Sequence, residues 1–337
     1  PDSITKNASD PATDTNPSGG LGTLWLNTTS GELFMLTDAT TDSNVWFNTG
    51  GGTGDVQPVP CYQGTVAGFA SGGYNGAHTN IIDSFSLTTD ADATDHGDLS
   101  NNRQDGAGHS SATHGYTAGG YPVTSLIDKF TFATSSNATA VANLTEGRSS
   151  ASAQMSCTHG YVSGGYGNYT DKIEKYVFAS DGDGVDIANM TVGRGELSGN
   201  NSTTHGYVSG GSGSSNVIDK FTFAADADAT DVGDLTVGRS NTMGSSSTTH
   251  GYTAAGYPSS NVIDKFAFAT DGNATDVGDL TITRSNGTGV SSTTHGYTTG
   301  GYPYTDVIEK HSFTIDGNAT DVGNLTSARY TPAGTQH

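Results

Sequence analysis

HGYVSGG at residues 205–211, NVIDKFTF at 216–223 and TDVGDLTVGR at 230–239 are three short β-prone runs separated by turn residues. In the middle run Val217, Asp219, Phe221 and Phe223 alternate with Ile218, Lys220 and Thr222, the period of two expected of a strand. The block recurs along the chain. HGY stands at His114, His159, His205, His250 and His295, spaced 45 or 46 residues apart, and an arginine closes each unit at Arg103, Arg148, Arg194, Arg239, Arg284 and Arg329. A degenerate first copy, GFASGGY, supplies Gly72 and Gly73 and brings the count to six. A Ser- and Thr-rich run such as SNTMGSSSTT (240–249) makes a fourth strand per unit, so no helix is needed.

Units of this size cannot bury both faces alone, which leaves a closed propeller or an open stack. After Arg329 only YTPAGTQH remains, enough for one strand, and the first copy lacks the run that precedes GFASGG elsewhere. Tyr330 to His337 placed before Gly64 restores a whole unit. The expected fold is therefore all-β: a six-bladed propeller over 61–337, closed by the pairing of N- and C-terminal strands, which removes the exposed edges of an open array.

Composition narrows the function. The 337 residues hold 13 Lys and Arg against 34 Asp and Glu, a formal charge of −21, which argues against nucleic acid and against an anionic membrane surface. No apolar run is long enough for a membrane span, so no membrane insertion is expected. Abundant Asp, Thr, Ser and Asn with few Lys resemble extracellular or virion-surface composition. Cys61 and Cys157 fall at different places in the repeat register and are expected as free thiols.

The order Arg, first strand, second strand ending in Gly-Gly, third strand with an acidic-then-aromatic step resembles the kelch repeat family. In the third copy the matching residues are Arg148, Gly164, Gly165, Glu174, Tyr176 and Arg194; Ala255 replaces one first Gly, and the family's fourth-strand Trp is absent, Val185, Val232, Val277 and Val322 standing near it. Residues 20–50, GLGTLWLNTTSGELFMLTDATTDSNVWFNTG, read as an alternating strand, an SG turn, a second strand and a third containing Val45, Trp46 and Phe47; they are similar to a small hairpin module of bacteriophage tail-fibre and other virion proteins, and the THGY…IDKF…NATDVGNLT units resemble repeat proteins of marine tailed phages. The implied organisation is an extended arm (1–19), a β-hairpin anchoring module (20–50), a linker (51–60) and the propeller.

Eleven of thirteen cations repeat in step: six arginines and Lys129, Lys175, Lys220, Lys265 and Lys310. Asp83, Asp128, Glu174, Asp219, Asp264 and Glu309 keep step with the arginines, as expected of Arg–carboxylate pairs. The HGY histidines would lie on the order of 10 Å or more apart, too far to share a metal, and are expected to bond at their strand starts. The turn after the third strand carries D-x-[DN]-x-x-D in five copies, among them Asp181/Asp183/Asp186 and Asp226/Asp228/Asp231. Clustered oxygens of this kind suit calcium; Asx-turn chemistry is the alternative. Tyr74, Tyr121, Tyr166, Tyr257 and Tyr302, with Tyr169 and Tyr304 nearby, head the loops after the Gly pairs on one rim, where they would either stack on sugar rings or finish the packing.

No unsymmetrical catalytic grouping is visible, and a galactose-oxidase-type copper set cannot be assembled, so the chain is expected not to be an enzyme. The expected function is that of a phage virion structural protein (tail fibre, appendage or capsid decoration) on the particle surface, homo-oligomeric there. It would contact other virion proteins through residues 20–50 and use the propeller for host-surface contact, a glycan being the expected ligand class, or for particle stabilisation. An extracellular carbohydrate-binding or adhesive propeller is the alternative.

Overall fold

The computed structural model describes residues 4–50, 59–167 and 169–337, so most of the expected linker, 51–58, lies outside the described residues. The described residues are all-β, with seven four-stranded sheets and no helix. The chain divides into two compact units, Pro1–Val59 and Pro60–His337.

The first unit holds one sheet, β1 (Thr5–Asn7), β2 (Leu24–Asn27), β3 (Leu33–Asp38) and β4 (Val45–Asn48), in that order. β2, β3 and β4 are the strands anticipated from the alternating pattern. β1, from the segment expected as an extended arm, adds a parallel edge strand to β2. Alternation puts Trp25, Phe34, Leu36 and Trp46 on one buried face, where the two indoles meet edge to face at 5.9 Å.

The second unit holds the other six sheets, a propeller-like set. Sheets 2 to 6 run in chain order over 107–143, 152–189, 198–234, 243–284 and 288–324. Sheet 1 is discontinuous: Ala333–Gln336 pairs antiparallel with Ala67–Ser71, which continues into Ile81–Ser86 and Thr94–Asp98. In sheet 4 the strands are Ser198–Asn201, His205–Ser209, Val217–Thr222 and Thr230–Asp234, each antiparallel to the next. A register shift between Ile218 and Asp219 recurs at the equivalent place in all six sheets. The extra residue on the fourth strand bends the pair there, and both Ile218 and Asp219 are buried.

The first strands gather round a common axis and pack backbone on backbone. A Cβ added at Gly199, Gly244 or Gly289 would sit 1.9, 2.2 or 1.9 Å from the carbonyl oxygen of Ala153, Gly199 or Gly244, so only glycine permits this approach. Just before each first strand stands a residue with positive φ: Asp105, Ser150, Glu196, Asn241, Asn286 or Thr331. Their amides form a cycle of hydrogen bonds, Asp105 N–H donating to Thr331 C=O, then 331 to 286, 286 to 241, 241 to 196, 196 to 150 and 150 back to 105, with N···O distances of 2.5 to 3.0 Å. The cycle uses six donors and six acceptors that strands leave unpaired near the axis.

Consecutive sheets are joined by aromatic stacking and by buried charge. Tyr116, Tyr161, Tyr207 and Tyr252 stack on Phe178, Phe223, Phe268 and Phe313 of the next sheet at 4.7 to 4.9 Å. All six expected Arg–carboxylate pairs form: Arg103–Asp128, Arg148–Glu174, Arg194–Asp219, Arg239–Asp264, Arg284–Glu309 and Arg329–Asp83. Each carboxylate also accepts from the preceding sheet, as when Thr191 donates its hydroxyl to Asp219 at 2.7 Å and Thr326 donates to Asp83 at 2.6 Å. Leaving such a charge buried without its partner costs several kcal/mol, on the order of 3–5, which explains why the pair recurs intact in every unit.

The cysteines correct the sequence reading. Cys61 and Cys157 are not free but joined in a disulfide. Cys61 lies before Ala67–Ser71, in a segment with no counterpart in the other units, so repeat register carries no information about its partner. Its segment crosses the foot of the axis, where Gln63 Nε2 donates to Ser246 C=O and Gly64 N–H to Ser291 C=O, and so reaches the turn after the first strand of sheet 3 that carries Cys157.

Candidate functional site

The acidic turns lie at the end of the strands where the HGY segments begin, and their side chains diverge to separate partners. Asp181 takes Lys129 of the preceding sheet at 2.9 Å, and Asp226 takes Lys175 at 2.6 Å. Asp183 and Asp228 accept the backbone N–H of Asn143 and Asn189 on the preceding sheet, both at 2.8 Å. Asp231 accepts from Gly233 N–H at 3.2 Å, and Asp186 lies 3.9 Å from Lys172. Among the described residues no group of three or more His, Cys, Asp and Glu is arranged to hold a metal. The turns are straps between sheets: Lys220–Asp271, Lys265–Asp316 and Lys310–Asp90 repeat the same contact. At the remaining interface both partners are lost together, Ser84 standing where the lysine would be and Ser135 where the aspartate would be.

Each HGY histidine bonds through Nδ1 to the hydroxyl of the Thr before it, at 2.7 to 2.8 Å. Burial lowers their pKa values, with the strand lysine adding to the effect. His109 and His311 are fully enclosed, and burial takes both to about 4, so they are neutral at pH 7. His109 Nε2 lies 2.7 Å from Tyr161 C=O of the next sheet, a structural tie.

The other end of the strands is different. Tyr121, Tyr166, Tyr257, Tyr302 and Tyr304 are all exposed there, between 46% and 60%. The first four pair through their backbones with the residue after a buried arginine: Gln104, Ser149, Ser240 and Ser285. In sheet 1 the corresponding pair is Tyr74 with Tyr330, aromatic on both sides. Ring contacts consequently run on from sheet 6 through sheet 1 to sheet 2. Tyr330 lies 6.0 Å from Tyr302, 5.2 Å from Tyr304 and 5.3 Å from Tyr74, and His78 lies 5.4 Å from both Tyr74 and Tyr121. Tyr166 meets Tyr169 at 5.3 Å instead, and neither it nor Tyr257 joins the arc. The Gly-Gly-Tyr motif pointed to four members, Tyr74, Tyr121, Tyr302 and neighbouring Tyr304. Tyr330 and His78 lie outside that motif.

From the arc a polar chain leads toward the axis. His78 Nδ1 lies 3.1 Å from Gln104 Oε1, and Gln104 Nε2 donates to Asp105 at 2.8 Å. Asp105 belongs to the hydrogen-bonded cycle and, with Glu196, lines one end of an axial cavity of about 130 Å³. Tyr62 lines the cavity with its hydroxyl buried. Burial raises the Asp105 carboxyl, and the nearby Glu196 charge adds to that. Tyr330 is also raised, by burial first and then by Tyr304, Tyr74 and Asp105. The arrangement offers stacking faces, hydroxyls and one imidazole. No protein-family model matches the chain, and no curated protein matches it.

Proposed function

We propose that residues 60–337 are a closed, six-bladed, kelch-like propeller and that the chain is a non-enzymatic surface protein of a tailed-phage particle, held by its N-terminal sheet and displaying the propeller outward. The observation that carries this reading is how the reactive side chains are spent. Arginines, strand lysines, HGY histidines and turn aspartates are tied into the same framework contacts sheet after sheet, while an unsymmetrical grouping of aromatic rings lies at one rim. The cycle of axial hydrogen bonds and the pairing of 333–336 with 67–71 support closure. The disulfide supports residence in an oxidising medium, where a particle surface or secreted protein works. The likeness of residues 20–50 to virion hairpin modules supports the particle, and there the chain would be homo-oligomeric.

The test is cosedimentation followed by cryo-EM of the particles. The expected result is the chain in the particle band, with propeller-shaped density outside and residues 20–50 docked on a capsid or tail protein. Recovery of the whole chain free in the medium, with none on particles, would overturn the virion reading. The second reading, a secreted carbohydrate-binding or adhesive propeller, is favoured by the aromatic arc and would then stand in its place.

A further inference from the structure

We infer that the arc Tyr302–Tyr330–Tyr304–Tyr74–His78–Tyr121 is a binding site for a neutral pyranose glycan. The inference rests on the display reading only in needing this rim free, and it holds equally for a secreted protein. Six rings from three consecutive sheets touch in one run, with centroids 5.2 to 6.4 Å apart and interplanar angles from 34° to 88°. Tyr302, Tyr304 and Tyr121 stay about half exposed although a core lies beneath them. Such rings offer faces to the C–H surface of a sugar and phenolic hydroxyls to its rim, whereas an aliphatic patch offers only the first.

The polar chain supplies orientation. With its amide donating to Asp105, Gln104 presents Oε1 to His78 Nδ1. That contact calls for a proton on Nδ1, and in the tautomer protonated there alone Nε2 is an acceptor for a sugar hydroxyl. Charge selects against acidic ligands. The arginines beneath the arc, Arg103 and Arg329, are buried on Asp128 and Asp83, the strand lysines that pair with the acidic turns lie at the opposite end of the strands, and the acidic side chains beside the arc include Asp105, bonded to Gln104, and Asp306, two residues from Tyr304. A sulfated or sialylated glycan would meet a chain of formal charge −21 with no free cation at this arc among the described residues.

The test prints neutral oligosaccharides (glucans, mannans, galactans) beside sulfated and sialylated analogues and probes them with the full chain. Binding to neutral members is expected, weakened about tenfold or more by Tyr304→Ala and by Tyr121→Ala and unchanged by Tyr257→Ala, a rim tyrosine outside the arc. Thermal melts of each variant separate lost binding from lost fold. Salt should leave neutral binding unchanged. No binding to any neutral glycan, binding confined to acidic ones, or equal loss in the Tyr257 variant would overturn the proposal; in the first case a protein partner becomes the occupant to seek. None of these outcomes bears on whether the chain sits on a particle, which cosedimentation decides separately.

Discussion

Reduction of the Cys61–Cys157 bond should lower the melting temperature of the propeller-like unit by about 8 °C. The bond joins residues 96 apart in sequence, and a cross-link of that span removes about 4.7 kcal/mol of chain entropy from the unfolded state at 25 °C. Unfolding about 280 residues, from 60 to 337, releases about 0.6 kcal/mol per kelvin near the transition, and the ratio of the two gives the shift. The native side should change little. Tyr62 remains buried on reduction, and the Gln63 and Gly64 hydrogen bonds to sheets 5 and 6 do not need the sulfurs. Calorimetry with and without reductant measures the effect, and Cys61→Ser, Cys157→Ser and the double variant should all melt with the reduced protein. A shift under about 2 °C would refute the reasoning by showing that the unfolded chain gains no such freedom. Thiols that react in the unreduced, folded protein would refute the bond itself.

Two further outcomes follow from the framework. Ser84→Lys with Ser135→Asp should restore the missing sixth lysine–aspartate strap, each single change staying near neutral and the pair showing a coupling of about 0.2–1 kcal/mol in a urea double-mutant cycle. A coupling of zero at low salt would mean that the five natural straps are incidental. Asp105→Asn should raise the melting temperature at pH 7. Burial raises the folded-state pKa of Asp105, so the unfolded chain ionises first as pH rises, and stability contributed by the protonated form is lost from the ordinary carboxylate range upward through the folded value. Asparagine already fills the equivalent positions 241 and 286 with φ of 54° and 59°, so the backbone accepts it. A variant less stable than the parent at pH 7, with an unchanged pH slope, would refute the burial argument.

Much of the second unit was legible because its information is periodic. A buried arginine needs a carboxylate, and six of each at one spacing leave little choice of partner; the pairing of 333–336 with 67–71 followed from a strand missing at one end and spare at the other. The N-terminal strands were legible from the alternation within 20–50, the SG turn and the two Trp residues, Trp25 and Trp46. What escaped was contact between residues at unlike positions. The lysine–aspartate straps join one turn to the neighbouring sheet, and the aspartates read alone resembled ligands. The disulfide joins a residue before the repeat to one within it. The arc depends on Tyr330 and His78, which match nothing in their sister units, and only the fold brings them beside Tyr74 and Tyr121.

The cycle of amides around the axis bears on how such a protein can change by duplication. All six bonds point the same way round, each residue donating through its own N–H and accepting through its own C=O, and the series has neither a first donor nor a last acceptor. A helix can lengthen by one residue and merely move its frayed end. This ring has no end to move: a seventh repeat must open one bond and re-angle all the others together, and the loss of a repeat does the same in reverse. Copy number is therefore an all-or-none property, and sequence drift should run freely through the rim loops while the count of units stays fixed.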